Sequence, residues 1–233
     1  MRYNTILFDA DDTLLDFRCS EREAISDTLA DFCGSVDDHV IIRYSEINDS
    51  LWKLHEKGEI RKEDLRVKRF ELLCREFGFD FDPLLMADRY FSALASKSYL
   101  IEGATDVCQT LRKFCRLYII TNGFRVIQEK RLGNSPIAGF FDGLFISETV
   151  GAEKPSPAYF ETVAKSIPNF LPKDSLVVGD SLSSDIAGGI AAGLDVCWYN
   201  PKNRPAPEGM RINYIISRLD QLPDIVTGGI TKQ

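Results

Sequence analysis

From Val107 to Ser217 the chain keeps returning to one alternation, short apolar runs separated by segments of helical period. RLYIITN, LFISE, SLVVGD, DVCWY and NYIIS read as strands. VCQTLRKF, RVIQEKRL, PAYFETVAKSI and SDIAGGIAAG read as the helices before and between them, and the loop PKNRPAPEG, Pro201 to Gly209, precedes the last strand. Strands that are apolar throughout belong in a sheet buried on both faces, and parallel neighbours need a crossover, usually a helix. The alternation therefore predicts an α/β fold, a doubly wound, Rossmann-like parallel sheet with helices on both faces. Ligands of such sheets bind beyond the carboxyl ends of the strands, so chemistry is sought there.

A further apolar run, Tyr3 to Phe8, stops abruptly at a cluster of aspartates and reads as the first strand of the same sheet. The stretch between Arg18 and about Lys97 follows another rule. AISDTLADF, IIRYSEINDSLWKL and LRVKRFELLCREF have helical period, with breaks at Gly58, Gly78 and Pro83. Four helices forming a separate inserted cap are expected, with residues 1–17 and 98–233 as the catalytic core and 18–97 as the cap. A chain of 233 residues has room for one α/β domain and such an insertion.

The net charge of −7 opposes attraction to a nucleic acid polymer. Six cysteines without CxxC spacing suggest neither a zinc site nor a redox pair. No run approaches the ~20 apolar residues of a membrane span, and acidic residues interrupt the N-terminus before a signal peptide could be completed. A cytoplasmic protein without membrane contacts is expected, as a monomer or a homodimer.

Four strand ends carry candidate chemistry. FDADDTL places Asp9 and Asp11 two apart, and in extended chain such residues point to the same side. Two carboxylates facing one centre suit covalent phosphoryl transfer: one attacks, and the other, kept protonated, hands its proton to the leaving oxygen. GDSLSSD follows SLVV, and its Asp180 is placed to join Asp9 in holding Mg²⁺, which prefers hard oxygen ligands. Asp185 stands behind them as an orienting group. IITNG offers the Thr121 hydroxyl and the amides from Asn122 onward to phosphate oxygens. GAEKPSP supplies the cation Lys154.

Taken singly, each is an ordinary turn, helix start or surface lysine. Together they supply a nucleophile, an acid, a metal site and a cation in an order that parallel strands can deliver to one rim. Asp9, Asp180 and Asp185 contribute −3, which Mg²⁺ and Lys154 balance if Asp11 is protonated.

FDADDTL, IITNG, EKPSP and GDSLSSD resemble, in order, the four motifs of the haloacid dehalogenase (HAD) superfamily, and the helical insertion resembles a type C1 cap. The resemblance implies Asp9 as nucleophile and Asp11 as acid and base. It also implies Thr121 and Lys154 on the phosphoryl group, Mg²⁺ on Asp9, Asp180 and the Asp11 carbonyl oxygen, and Asp185 in support. Phe17, SLWKLHEKGEI, IITNGF, FISETVGAEKPSPAYF and GGIAAGLDVCWYN extend the likeness to pyrimidine 5′-nucleotidases of the YjjG type, implying a nucleoside monophosphate as the small phosphomonoester substrate. Asp12 stands where many members of the superfamily have glycine.

Because the core grips only phosphate, selectivity is expected from the cap. Phe17, Trp52 and the loop centred on Gly58 are the candidates there, although Trp52 also suits a place between packed helices. The competing readings are a phosphatase or phosphomutase acting on sugar phosphates or phosphoglycolate, and a phospho-accepting signalling module.

Overall fold

The computed structural model describes residues 1–34 and 37–230. Residues 35–36 of the expected insertion and 231–233 of the expected core therefore lie outside the described residues. The chain divides into two compact units, one made of Met1–Asp16 with Tyr99–Gln233 and the other of Phe17–Ser98.

The first unit is built on six parallel strands: β1 (Thr5–Asp9), β2 (Arg116–Thr121), β3 (Gly143–Ile146), β4 (Ser175–Gly179), β5 (Asp195–Tyr199) and β6 (Tyr214–Ile216). They lie in the order β3-β2-β1-β4-β5-β6. β1 is central, with Phe8 opposite Ile119 of β2 on one side and Val178 of β4 on the other. The strand order reverses between β1 and β4, which is where a doubly wound sheet opens a crevice at its carboxyl edge.

Strand alternation explains why these runs are wholly apolar. Ile6, Phe8, Leu176 and Val178 join one core with Val107, Cys108 and Leu111 and with Leu222, Ile225 and Val226. Leu7, Ile120, Val177 and Val196 join the opposite core with Tyr159, Phe160 and Val163. Neither face meets water, so neither can carry polar side chains cheaply.

The helical unit comprises α1 (Phe17–Cys33), α2 (Asp38–Glu56), α3 (Lys62–Phe77) and α4 (Pro83–Ala95). The breaks expected from the sequence fall between them: Gly58 lies just past α2, Gly78 closes α3, and Pro83 opens α4 at the first helical position, where its missing N–H costs nothing. Asp82 caps α4 by accepting a hydrogen bond from the Leu84 N–H. Buried Ile25, Tyr44, Ile47, Leu65, Phe70, Leu73, Met86 and Tyr90 form the interior. Among them lies a polar chain, in which Arg69 Nη1 donates to Asn48 Oδ1 at 2.8 Å and Asn48 Nδ2 donates to Glu21 Oε1 at 2.6 Å.

The remaining helices belong to the sheet unit: α5 (Ala104–Leu111), α6 (Arg125–Gly133), α7 (Ser147–Val150), α8 (Pro157–Ser166), α9 (Ala187–Ala191) and α10 (Leu222–Thr227). Two expectations need adjustment. LFISE leaves the sheet at Ile146, and Ser147 begins the single turn of α7. SDIAGGIAAG is no uniform helix, because Leu182–Ile186 form a π-helical turn before α9. The six cysteines are free thiols, and no helix among the described residues is long and apolar enough to cross a membrane.

Candidate active site

Asp9 ends β1, and Asp180 follows β4 immediately, so the strand reversal brings these two aspartates to one edge. Lys154 reaches the same point. Its ammonium donates to Asp9 Oδ1 at 2.6 Å, to Asp185 Oδ1 at 2.6 Å and to the Ile120 carbonyl at 3.0 Å. Only 4 % of Lys154 is exposed, which a lysine tolerates when its charge is paired and all three protons are placed. Its backbone is held by Asn122, whose side chain accepts from the Lys154 N–H and donates to the Lys154 carbonyl. The Asn122 side chain is thus committed to fixing Lys154, and the phosphate contact expected of this residue falls to its backbone N–H.

Gly179 explains how Asp185 reaches Lys154. A β-carbon at position 179 would lie 2.3 Å from Asp185 Oδ2, so only glycine lets the carboxylate press against the end of β4. The π-helical turn carries Asp185 there, and the Ser181 N–H donates to its Oδ2 at 3.2 Å. Such turns recur at functional sites because the extra residue re-aims a side chain. Thr13 completes the Asp9 surroundings, donating to Oδ2 at 3.2 Å. Asp12 turns the chain with φ of 58°, a left-handed conformation that aspartate tolerates better than most residues.

Asp9, Asp180 and Asp185 bring ligand oxygens within 4.8 Å of one another. One lysine faces three carboxylates. Burial raises the Asp9 pKa to about 7, with Asp185 adding to the rise and Lys154 opposing it. Burial and then the charges of Asp9, Asp185 and Asp12 hold Asp180 well above the ordinary carboxylate range. Burial works against the Lys154 ammonium, but Asp185 and Asp9 outweigh it and keep the lysine charged. The surplus negative charge and the all-oxygen donor set fit a hard divalent cation such as Mg²⁺.

Asp11 has partners of its own. Arg131 Nη1 donates to its Oδ1 at 2.5 Å, and Gln128 Nε2 donates to its Oδ2 at 2.8 Å. Gln128 Nε2 also donates to Thr121 Oγ1 at 2.8 Å. Sequence reasoning overlooked both residues, and its charge count lacks Arg131. The available signal was their i, i+3 spacing on the helix directly after IITNG, which places them on one face.

Three expected substrate contacts, Phe17, Trp52 and Gly58, belong to the helical unit rather than to this cluster. Phe17 starts α1 and is half-buried. Trp52, on α2, is also half-buried and packs edge-on against His55 with ring centroids 5.6 Å apart, so it is not a core residue. Gly58 is exposed with φ of 74°.

The carboxyl edge of the sheet thus gathers a carboxylate ending the central strand, a lysine pinned to it and two aspartates that follow the neighbouring strand. The haloacid dehalogenase-like hydrolase family model matches residues 3–193, and the chain belongs to that family. YfnB of Bacillus subtilis (strain 168) is 38% identical over 225 residues, covering 97% of this chain and 96% of that protein. A YfnB crystal structure bound to magnesium, described as revealing interdomain movement, superposes with a TM-score of 0.92 over 97% of this chain and 99% of its own. Pyrimidine 5′-nucleotidase PynA of Streptococcus pneumoniae is 37% identical, covering 86% of this chain and 85% of its own. Pyrimidine 5′-nucleotidase YjjG of Escherichia coli (strain K12) is 31% identical, covering 97% of this chain and 99% of its own.

Proposed function

We propose that this hydrolase is a Mg²⁺-dependent phosphomonoesterase that releases phosphate from nucleoside monophosphates, with pyrimidine 5′-nucleotides as its preferred substrates. The observation that carries the reading is the Asp9 carboxylate, held by Lys154 at 2.6 Å at the sheet's switch point beside Asp180 and Asp185. The names of PynA and YjjG support the substrate class, and the magnesium bound to YfnB supports the metal.

Asp9, Asp180 and the Asp11 carbonyl oxygen would hold the cation, with Asp185 braced behind them. When bound, Mg²⁺ supplies positive charge to the phosphoryl oxygens. Asp9 attacks phosphorus in line, forming an aspartyl-phosphate as the ester bond breaks. Lys154 balances charge on the transferred group, and the Thr121 hydroxyl with the Asn122 N–H holds its oxygens. Asp11 gives a proton to the departing oxygen, then takes one from the water that releases phosphate from Asp9. Leaving-group selectivity is assigned to the helical unit, in which Phe17, Trp52 and the Gly58 loop are the candidates.

The test is phosphate release from pyrimidine and purine monophosphates, sugar phosphates and phosphoglycolate, with and without Mg²⁺. Pyrimidine monophosphates are expected to be turned over fastest, only with the metal, and Asp9→Asn to lower kcat by at least ~10⁴-fold, as losing a covalent nucleophile does. Preference for a sugar phosphate would overturn the nucleotidase reading, and full activity of Asp9→Asn the covalent one.

A further inference from the structure

We propose that Gln128 and Arg131 are positioning residues, a two-pronged support on α6 that sets the direction of the Asp11 carboxylate; the inference rests on the phosphatase reading. Both are buried, each 1 % exposed, although they lie on a helix of nine residues. A buried arginine and a buried glutamine are costly unless partners meet them. Their partners here lie on the loop after β1 and at the end of β2. Arg131 takes one oxygen of Asp11 and Gln128 the other.

The contacts leave little freedom. Arg131 Nη1 also donates to Gln128 Oε1 at 3.3 Å, which turns the amide so that its NH₂ faces the site. The two amide protons then go to Asp11 Oδ2 and Thr121 Oγ1. Thr121 Oγ1 also accepts from the Gly123 N–H at 3.0 Å. With both lone pairs engaged, the hydroxyl proton of Thr121 is left to donate to an anionic oxygen. Gly123 makes room for this arrangement, since a β-carbon there would lie 2.6 Å from Gln128 Nε2. A single amide thus ties the proton-transfer group to the phosphate-binding hydroxyl, and Arg131 fixes that amide.

Proton donation matters greatly to an alkyl ester, whose alkoxide leaves poorly, and little to an aryl ester. Arg131→Met and Gln128→Leu are compared with wild type on a pyrimidine monophosphate and on p-nitrophenyl phosphate, both with Mg²⁺. Each variant is expected to lose about 10–100-fold more in kcat/KM on the nucleotide than on the aryl ester, a part of the ~10²–10⁴-fold that general acid–base catalysis supplies. This parameter ends at departure of the ester oxygen, and any loss through the Thr121 hydroxyl falls on both esters. Arg131→Lys should recover part of the nucleotide activity. In an Asp11→Asn background, followed on the aryl ester and the nucleotide, Arg131→Met should add no further loss, because its effect passes through Asp11.

Equal losses of kcat/KM on the two esters, or a full added loss without Asp11, would overturn the proposal while leaving the phosphatase reading intact. A wild-type protein that hydrolyses neither ester would overturn both. Should Arg131→Met fail to fold, Gln128→Leu and Arg131→Lys decide the same question.

Discussion

In the helical unit Glu21 and Arg69 are buried to 0 % and 2 % exposure, with Asn48 hydrogen-bonded to both; in the sheet unit Lys154 is buried among Asp9, Asp180 and Asp185. The first cluster is balanced, with one carboxylate, one guanidinium and an amide that accepts from one and donates to the other. Arg18 adds a partly exposed cation 3.6 Å from Glu21. The second is overdrawn, with one ammonium against three carboxylates. Buried charge is tolerated only when paired, so a balanced cluster serves the scaffold and an unbalanced one marks a place where a charged ligand completes the set.

The difference gives opposite signs for removing a carboxylate. Glu21→Ala takes away the negative charge that balances Arg69 and should cost about 3–5 kcal/mol, the usual penalty for breaking a buried pair. A fall in Tm of roughly 10 °C is expected from such a loss in a chain of this size. Glu21→Gln, which keeps the hydrogen bond from Asn48, should recover part of it. An unchanged Tm in Glu21→Ala would break the contrast at its helical end.

Asp180→Asn should act the other way. In metal-free protein at pH 7.5 it removes a carboxylate whose ionisation burial and then the charge of Asp9 oppose, so stability rises. Thermal melting without metal should show it as a higher Tm, while stabilisation by Mg²⁺ largely disappears. A lower Tm would show that Asp180 is compensated within the fold.

The smallest effect is a pH trend. The Asp9 pKa is raised to about 7 from an ordinary carboxylate value, so between about pH 4 and pH 7 the native state holds more protons than the unfolded one. Metal-free stability attributable to this group therefore falls as pH rises through that window. A bound cation replaces those protons, so the Tm gain from Mg²⁺ should grow by a few degrees between about pH 5.5 and pH 8. A gain that stays constant, or shrinks, would separate Asp9 from the metal.

The residues most legible in the sequence share one property: Asp9, Thr121 and Asp180 interrupt or immediately follow an apolar run. A strand buried on both faces has no place for a polar side chain until it leaves the sheet, so polarity there marks the edge. Lys154 and Asp185 were legible through their company in EKPSP and GDSLSSD. Gln128 and Arg131 were not. In RVIQEKRL polar residues surround three apolar ones, and the i, i+3 spacing that puts Gln128 and Arg131 on one face does not say whether that face turns toward solvent or inward. Same-side placement of Asp9 and Asp11 presumes extended chain, but the backbone turns after β1, where the Leu14 and Leu15 N–H groups both return to the Ala10 carbonyl.

Sequence alone determined the layered α/β architecture, the helical interruption and the strand ends at which the buried charged residues gather, because apolar periodicity and glycine or proline breaks are local properties of the chain. Tertiary structure decided which charges are compensated. Lys154 meets Asp9 across 145 positions and Arg131 meets Asp11 across 120, and pairing over such spans depends on strand order and helix placement that no local pattern encodes.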